Sequence, residues 1–439
     1  MKYRNKIIAA FGIAAVLFST GCKKYLDVNI DPDRPLIASP GPVLAGAQIT
    51  GAYTLGGADF SLVTGILTAQ VTGADRQFGN YEKYQLVADN FNNPWSSLYQ
   101  GTLINYQELL HTADAKKYYL LGGITRLMTA YTMLTMTDVW GDLPYSDAFK
   151  GLEGQYKSKY DKQEDLYKTI DGLITTAIAD LNNPVPGVNP GTYDVVYGGA
   201  ASKWIRFANS LRLRLLIHQT KKDPAGTAAK VIAAAGAAGG LITESAYDAS
   251  VYFLDDESRA NPLYQFNTQR EGYAEYTNTY LTNLMTAAGD ARLAKYLGGF
   301  YDSPNSAVLM ITSYEVEFIL AEAYLRAGDN VNAKLHYENA VKASFAKVGA
   351  AIGNYLTTAG SFDAASDKLN LVLTQKYIAM YLQPEAFTDW RRTGIPALTS
   401  KVSGKEIPRR LPYPQSEISY NSENVPGGLT INSKVWWDQ

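Results

Sequence analysis

Apolar residues recur at helical spacing through most of this chain. Leu120, Ile124, Leu127, Met128, Tyr131 and Leu134 fall on one face of a helix, and so do Tyr167, Ile170, Leu173, Ile174, Ile178 and Leu181. Trp204, Phe207, Ala208 and Leu211 open a third stripe. Start signals accompany the stripes. Asp161 followed by Glu164 has capping-box spacing, which would satisfy orphan backbone donors at the start of the second helix. Asp223 and Pro224 have the character of an N-cap and first helical residue.

The sharpest unit spans Thr312 to Phe345. Thr312 and Glu315 suit a second capping box. Val316, Ile319, Leu320, Ala323 and Tyr324 form one face, Gly328 and Asp329 break it, and Ala333, Tyr337, Ala340 and Val341 form the return face. Its 34 residues and its small Ala positions resemble a tetratricopeptide-type helix hairpin. Strand-like runs are short, the best being Thr192–Tyr197 and Val251–Leu254. The expected fold is mainly α, with helix pairs, minor β hairpins and an irregular, loop-rich portion.

The first residues differ from everything after them. Lys2, Arg4 and Lys6 precede a twelve-residue apolar run, Ile7–Phe18, and Ser19, Thr20 and Gly21 lead to Cys22, the one cysteine in the chain. The run is too short to span a bilayer and reads as a secretory signal. A lone thiol at this position marks a lipidation site, so residues 1–21 are expected to be removed and Cys22 to carry the anchor. Residues 22–42, rich in Pro, Asp and Asn, are expected to form an extended tether, and 43–439 a single domain. The most apolar later stretch, Ala225–Ile242, carries Lys230 and does not qualify as a membrane span.

Composition narrows the function. Of 439 residues, 46 % are apolar and 19 % charged, the profile of a folded protein, and a net charge of −2 gives no basic surplus for nucleic acid. Thirty-two Tyr against 14 Phe is an excess of rings with a hydrogen-bonding tip, suited to wet binding surfaces. The three histidines, His111, His218 and His336, lack metal-ligand spacing, and the chain has no phosphate loop, dinucleotide fingerprint or nucleophile elbow. No catalytic residue or cofactor is expected. The one local acidic cluster, Asp255, Asp256 and Glu257, offers oxygen ligands of the kind calcium uses.

Several segments together resemble the SusD/RagB family of outer-membrane lipoproteins, in its second SusD-like subgroup. They are Cys22 with Tyr25-Leu26-Asp27 and Asn29–Pro32; Trp95–Tyr99; Asp138–Phe149; Ser202–Leu216; Ser313–Gly328; Glu385–Pro396; and Ile407–Glu417. The resemblance implies a non-enzymatic nutrient-binding protein, lipid-anchored in the outer membrane and exposed at the cell surface. It also implies a partner, a SusC-like TonB-dependent transporter, to which an oligosaccharide or peptide is delivered. A tetratricopeptide-type scaffold that organises envelope proteins without a small ligand is the alternative.

The motifs that carry the resemblance read as structural: Trp140, Gly141, Pro144 and Tyr145 as a turn packed by an aromatic ring, Trp390, Arg391 and Arg392 as a helix face able to pair with acids, and Arg409 and Arg410 as part of an extended segment. Ligand contact is expected instead in two polar aromatic stretches. The first holds Arg76, Phe78, Asn80, Tyr81 and Tyr84; the second holds Asn261, Tyr264, Gln269, Arg270, Tyr273 and Tyr276. Rings there would stack on sugar C–H faces while amides and guanidinium groups take hydroxyls, or the same surface would bind peptide backbone.

Overall fold

A computed structural model describes residues 39–298, 300–301 and 303–439. The signal, Cys22, Tyr25–Asp27, Asn29–Pro32 and most of the expected tether lie outside the described residues. Helix α1 (Pro40–Leu55) begins three residues ahead of the expected domain boundary, with prolines in its first turn where no amide donor is needed. There follow α2 (Val63–Leu67), α3 (Arg76–Glu82), α4 (Asn92–Ser96), α5 (Ile104–Lys116) and α6 (Tyr119–Trp140). Next come α7 (Gln163–Leu181), α8 (Ala201–Ile217), α9 (Gly226–Ala235), α10 (Pro262–Gln269), α11 (Tyr280–Ala287) and α12 (Arg292–Leu297). The chain continues through α13 (Ser313–Arg326), α14 (Asn330–Lys347), α15 (Lys368–Ala379), α16 (Glu385–Thr393) and α17 (Gln415–Tyr420). Two antiparallel pairs complete the fold, β1 (Thr72–Gly73) with β3 (Ala274–Glu275) and β2 (Ala249–Tyr252) with β4 (Ala307–Ile311).

The helices pack as antiparallel neighbours, α6 along α7, α8 along α9 and α13 along α14. The expected stripes are the buried faces: Ile124, Leu127 and Leu134 on α6, Ile170 and Ile174 on α7, and Trp204, Phe207 and Leu211 on α8 are all shielded from solvent. The α13–α14 hairpin turns as its sequence predicts. Gly328 lies at φ +82°, a left-handed turn that a side chain would strain, and the Asp329 carboxylate caps α14 by accepting from the Asn332 amide at 3.0 Å.

Other local expectations fail where a distant group supplies the hydrogen bond. At the start of α7 the Gln163 amide donates to Asp142 rather than to a capping box, and Asp161 turns away to accept from the Tyr145 and Ser146 amides. At α13 the Ser313 amide donates to Asp248, and Glu315 is drawn into a buried pair with Arg214. Asp223 does cap as expected, its carboxylate accepting from the Gly226 amide and its carbonyl from Thr227, although the regular turns of α9 begin only at Gly226. Thr192–Tyr197 is no strand: the buried Asp194 carboxylate gathers the Val196 and Gly199 amides, the Trp204 indole and the Gln48 amide, bending the chain into turns. The run at Val251 does form a strand, shifted to Ala249–Tyr252.

Within the family-bearing motifs, Trp140, Arg391, Arg392 and Arg410 are buried. The Trp140 indole donates to the Pro412 carbonyl at 3.0 Å, and Arg410 donates to the Trp140 carbonyl. Arg392 is sealed against Glu322 and Asp389, whereas Arg391 bonds the Phe387 and Arg409 carbonyls instead of an acid, lying between the rings of Phe387 and Trp437. Among the described residues, no helix is long and apolar enough to cross a membrane.

Candidate ligand-binding site

The two aromatic stretches, nearly two hundred residues apart in sequence, meet. Strand pairing joins Thr72 to Glu275 and Gly73 to Ala274, and the Ala74 amide donates to the Tyr273 carbonyl at 2.9 Å. Gly73 permits this junction because a Cβ there would lie 1.9 Å from the Phe78 carbonyl oxygen. Beneath the junction Phe78 packs edge-on against Phe266 at 4.8 Å and Tyr81 at 5.4 Å, and Tyr81 stacks on Phe91. Above it the Arg76 guanidinium lies 5.7 Å from the Tyr273 ring centre.

This geometry divides the expected contact residues. Arg76, Asn80, Gln269 and Arg270 are exposed, and Tyr264, Tyr273 and Tyr276 are half-buried, so these reach the surface. Phe78, Tyr81 and Tyr84 do not: they are 1 %, 1 % and 5 % exposed and form the floor beneath it. Burial pushes the Tyr81 phenol well above its ordinary value, with Asp59 adding to the shift. The Tyr84 hydroxyl accepts from the Lys401 amide, holding a distant loop. Asn261 is fully buried and spent on structure, since its side-chain oxygen caps α10 through the Leu263 and Tyr264 amides and its amide donates to the Ser306 carbonyl.

Arg270 stands between two concavities. One, about 240 Å³, runs from Asn267, Arg270 and Tyr276 to Tyr296, Tyr301 and Tyr381. Its tyrosine wall is rigid: Tyr296 stacks on Tyr381 at 4.5 Å and its hydroxyl donates to the Ile378 carbonyl. The other, about 220 Å³, lies between α1 and α10 and includes Tyr53, Asp59, Asn93, Gln269 and Arg270. There the Tyr53 hydroxyl donates to Gln265 at 3.0 Å. Burial raises the Asp59 carboxyl above its usual range and Arg270 opposes that shift. Two widely wound π-helical segments, Ala58–Leu62 and Ser97–Leu103, border this second concavity and turn Asp59 and Ser97 toward it. Acceptor, guanidinium, amides and rings together supply what a polyhydroxylated ligand requires.

Tyr53, Asp59, Gln265 and the Tyr296–Tyr381 wall were not expected. Asp59 carried a signal, being the only charged residue between Pro40 and Ala74. The acidic cluster takes another role. Asp256 accepts from the Ser258 amide and hydroxyl and pairs with Arg259, so its oxygens close a turn instead of awaiting calcium. Among the described residues no three acids, histidines or cysteines converge as metal ligands.

The chain belongs to the second SusD-like family, described as starch-binding and associating with the outer membrane, whose profile matches residues 37–307 and 298–414. This is a family of binding proteins, not of enzymes. The fold is also that of solved structures: a chitin-binding protein at TM-score 0.79 and 23 % identity, covering 91 % of this chain and 100 % of its own. A SusD/RagB family protein from Bacteroides thetaiotaomicron matches at 0.78 and 20 %, covering 92 % and 99 %. A chitin-binding SusD homologue from Flavobacterium johnsoniae matches at 0.74 and 22 %, covering 90 % and 98 %. Among curated proteins, none matches the chain.

Proposed function

We propose that this protein captures an oligosaccharide in the paired concavities around Arg270 and hands it to a SusC-like TonB-dependent transporter, tethered to the outer membrane through lipidated Cys22. The carrying observation is the placement of Arg270 between a tyrosine wall and the Asp59–Tyr53 hollow. A guanidinium and a carboxylate facing one space can grip opposite edges of a sugar, while the rings take its apolar face. Membership of a starch-binding family and likeness to two chitin-binding proteins favour glycan over peptide. Arg76, Asn80, Tyr264, Gln269, Tyr273 and Tyr276 extend the contact surface around this centre.

Isothermal titration with soluble starch and with chitohexaose tests the reading. Arg270→Ala is expected to weaken binding of the accepted glycan at least tenfold with unchanged thermal stability. Equal affinity in variant and parent rejects the site. Purification of the lipidated chain from envelopes in mild detergent is expected to bring a large β-barrel transporter with it; recovery of other envelope proteins without such a barrel rejects the delivery role.

A further inference from the structure

Helix α4 and the π-helical segment after it have a second working face. Pro94 and Ser97 turn toward the Asp59 hollow, Asn93 borders both spaces, and Asn92, Trp95, Ser96 and Tyr99 turn into a groove of about 630 Å³ between the Asp138–Phe149 motif and α17. That volume lies within the roughly 300–1,000 Å³ of small-molecule sites. We propose that this groove is a second, independent binding site for a neutral oligosaccharide.

Its construction carries the inference. The floor is a fixed aromatic platform: Trp95 lies 4.8 Å from Tyr99 and edge-on to Trp140 at 5.2 Å, and the Tyr99 hydroxyl is tied to the Pro144 carbonyl at 2.8 Å. Two further rings stand in solvent at the rim, Tyr156 at 83 % exposure and Tyr420 at 80 %. Rings so exposed gain nothing for the core, yet they face a groove with an aromatic floor. Phe149 completes the lining from a left-handed backbone at φ +64°, a conformation that strains a non-glycine residue and is retained here beside the groove.

The polar complement selects the ligand class. Asn93, Gln100, Ser158 and Glu417 line the groove, and among the described residues no Lys or Arg does. Glu417 is held in place by the Tyr160 hydroxyl at 2.8 Å and the Asn421 amide at 3.0 Å. A groove with a fixed carboxylate and no cation repels phosphate, sulfate and uronate groups. Amides, a carboxylate and flat rings suit uncharged hydroxylated rings. The contrast with the hollow centred on Arg270 makes the two sites chemically distinct, and the groove does not depend on the reading given above.

The test uses the full chain with soluble starch and chitohexaose as probes, comparing the parent with Arg270→Ala, the double variant Tyr156→Ala/Tyr420→Ala, and all three changes together. Both rim tyrosines are exposed, so their removal is expected to leave the melting temperature unchanged. The proposal expects Arg270→Ala to retain binding of at least one probe, and the rim changes to weaken that residual binding at least tenfold. Loss of all binding in Arg270→Ala, rim variants within twofold of their parents, or binding of neither probe by the parent overturns it. A rim variant that loses binding while Arg270→Ala loses none supports the groove and rejects the Arg270 site instead.

Discussion

His218 Nε2 lies 2.8 Å from the Glu385 carboxylate, deep inside the helix array, while its Nδ1 lies 3.1 Å from Asp138. Burial alone would drive the proton off this imidazole, but the two carboxylates outweigh burial and push its pKa up to about 9. A group whose folded pKa exceeds its unfolded value stabilises the fold fully below the unfolded pKa and loses that contribution as pH rises through the folded one. The pair is therefore expected to contribute roughly 3 kcal/mol below pH ~6.5, fading by pH ~9. Thermal unfolding followed from pH 6 to 10 is expected to show a falling melting temperature, and His218→Gln a flatter profile over that range.

Arg392 and Glu322 form the acid-side counterpart. Burial works against the Glu322 carboxylate, but Arg392 dominates and holds its pKa down to about 2. The contribution is present above the ordinary glutamate pKa and is lost as pH falls toward 2. Arg392→Met leaves Glu322 buried with the weaker support of Arg326 and Lys376, a loss of about 3–5 kcal/mol measurable by urea unfolding at pH 7. Arg392→Met combined with Glu322→Gln is expected to recover part of it.

Asp59 has the opposite sign. Its carboxyl is raised by burial, so ionised Asp59 costs stability at neutral pH and the cost disappears below its unfolded pKa. Asp59→Asn is expected to raise the melting temperature at pH 7 while lowering glycan affinity. A variant both less stable and equally tight in binding would contradict a role for this carboxylate in the hollow.

Asn261 and Gln269 occupy the two ends of one short helix but differ in kind. Asn261→Ala removes the cap of α10 and is expected to cost about 1–2 kcal/mol of stability. Exposed Gln269→Ala is expected to leave stability within about 0.5 kcal/mol and to weaken binding severalfold. Paired melting and titration measurements separate the two effects.

Much of the helical framework was legible because its signals are local. The stripes on α6, α7 and α8 need only a period of 3.6, and Gly328 with Asp329 announces the turn between α13 and α14 within a few residues. Short segments hold too few periods for this. Within α3 the pair Phe78 and Tyr81 is too short a stripe to tell a buried face from a ring-lined binding surface, because what buries the two rings is Phe266 and Phe91 arriving from elsewhere. The same holds for Thr192–Tyr197, whose β-like pattern yields to the hydrogen bonds gathered by Asp194 from Gln48 and Trp204.

The sequence by itself determined which residues could serve a binding surface, an excess of tyrosine with scattered amides and arginines, and placed two stretches that carry them. Only the tertiary structure decided which of these face solvent, and brought Tyr53 and Asp59 from the first helices against Arg270 near the middle of the chain. The reason is physical. Helix periodicity is a property of neighbours a few positions apart, whereas a binding hollow is a property of side chains that chain closure alone makes neighbours.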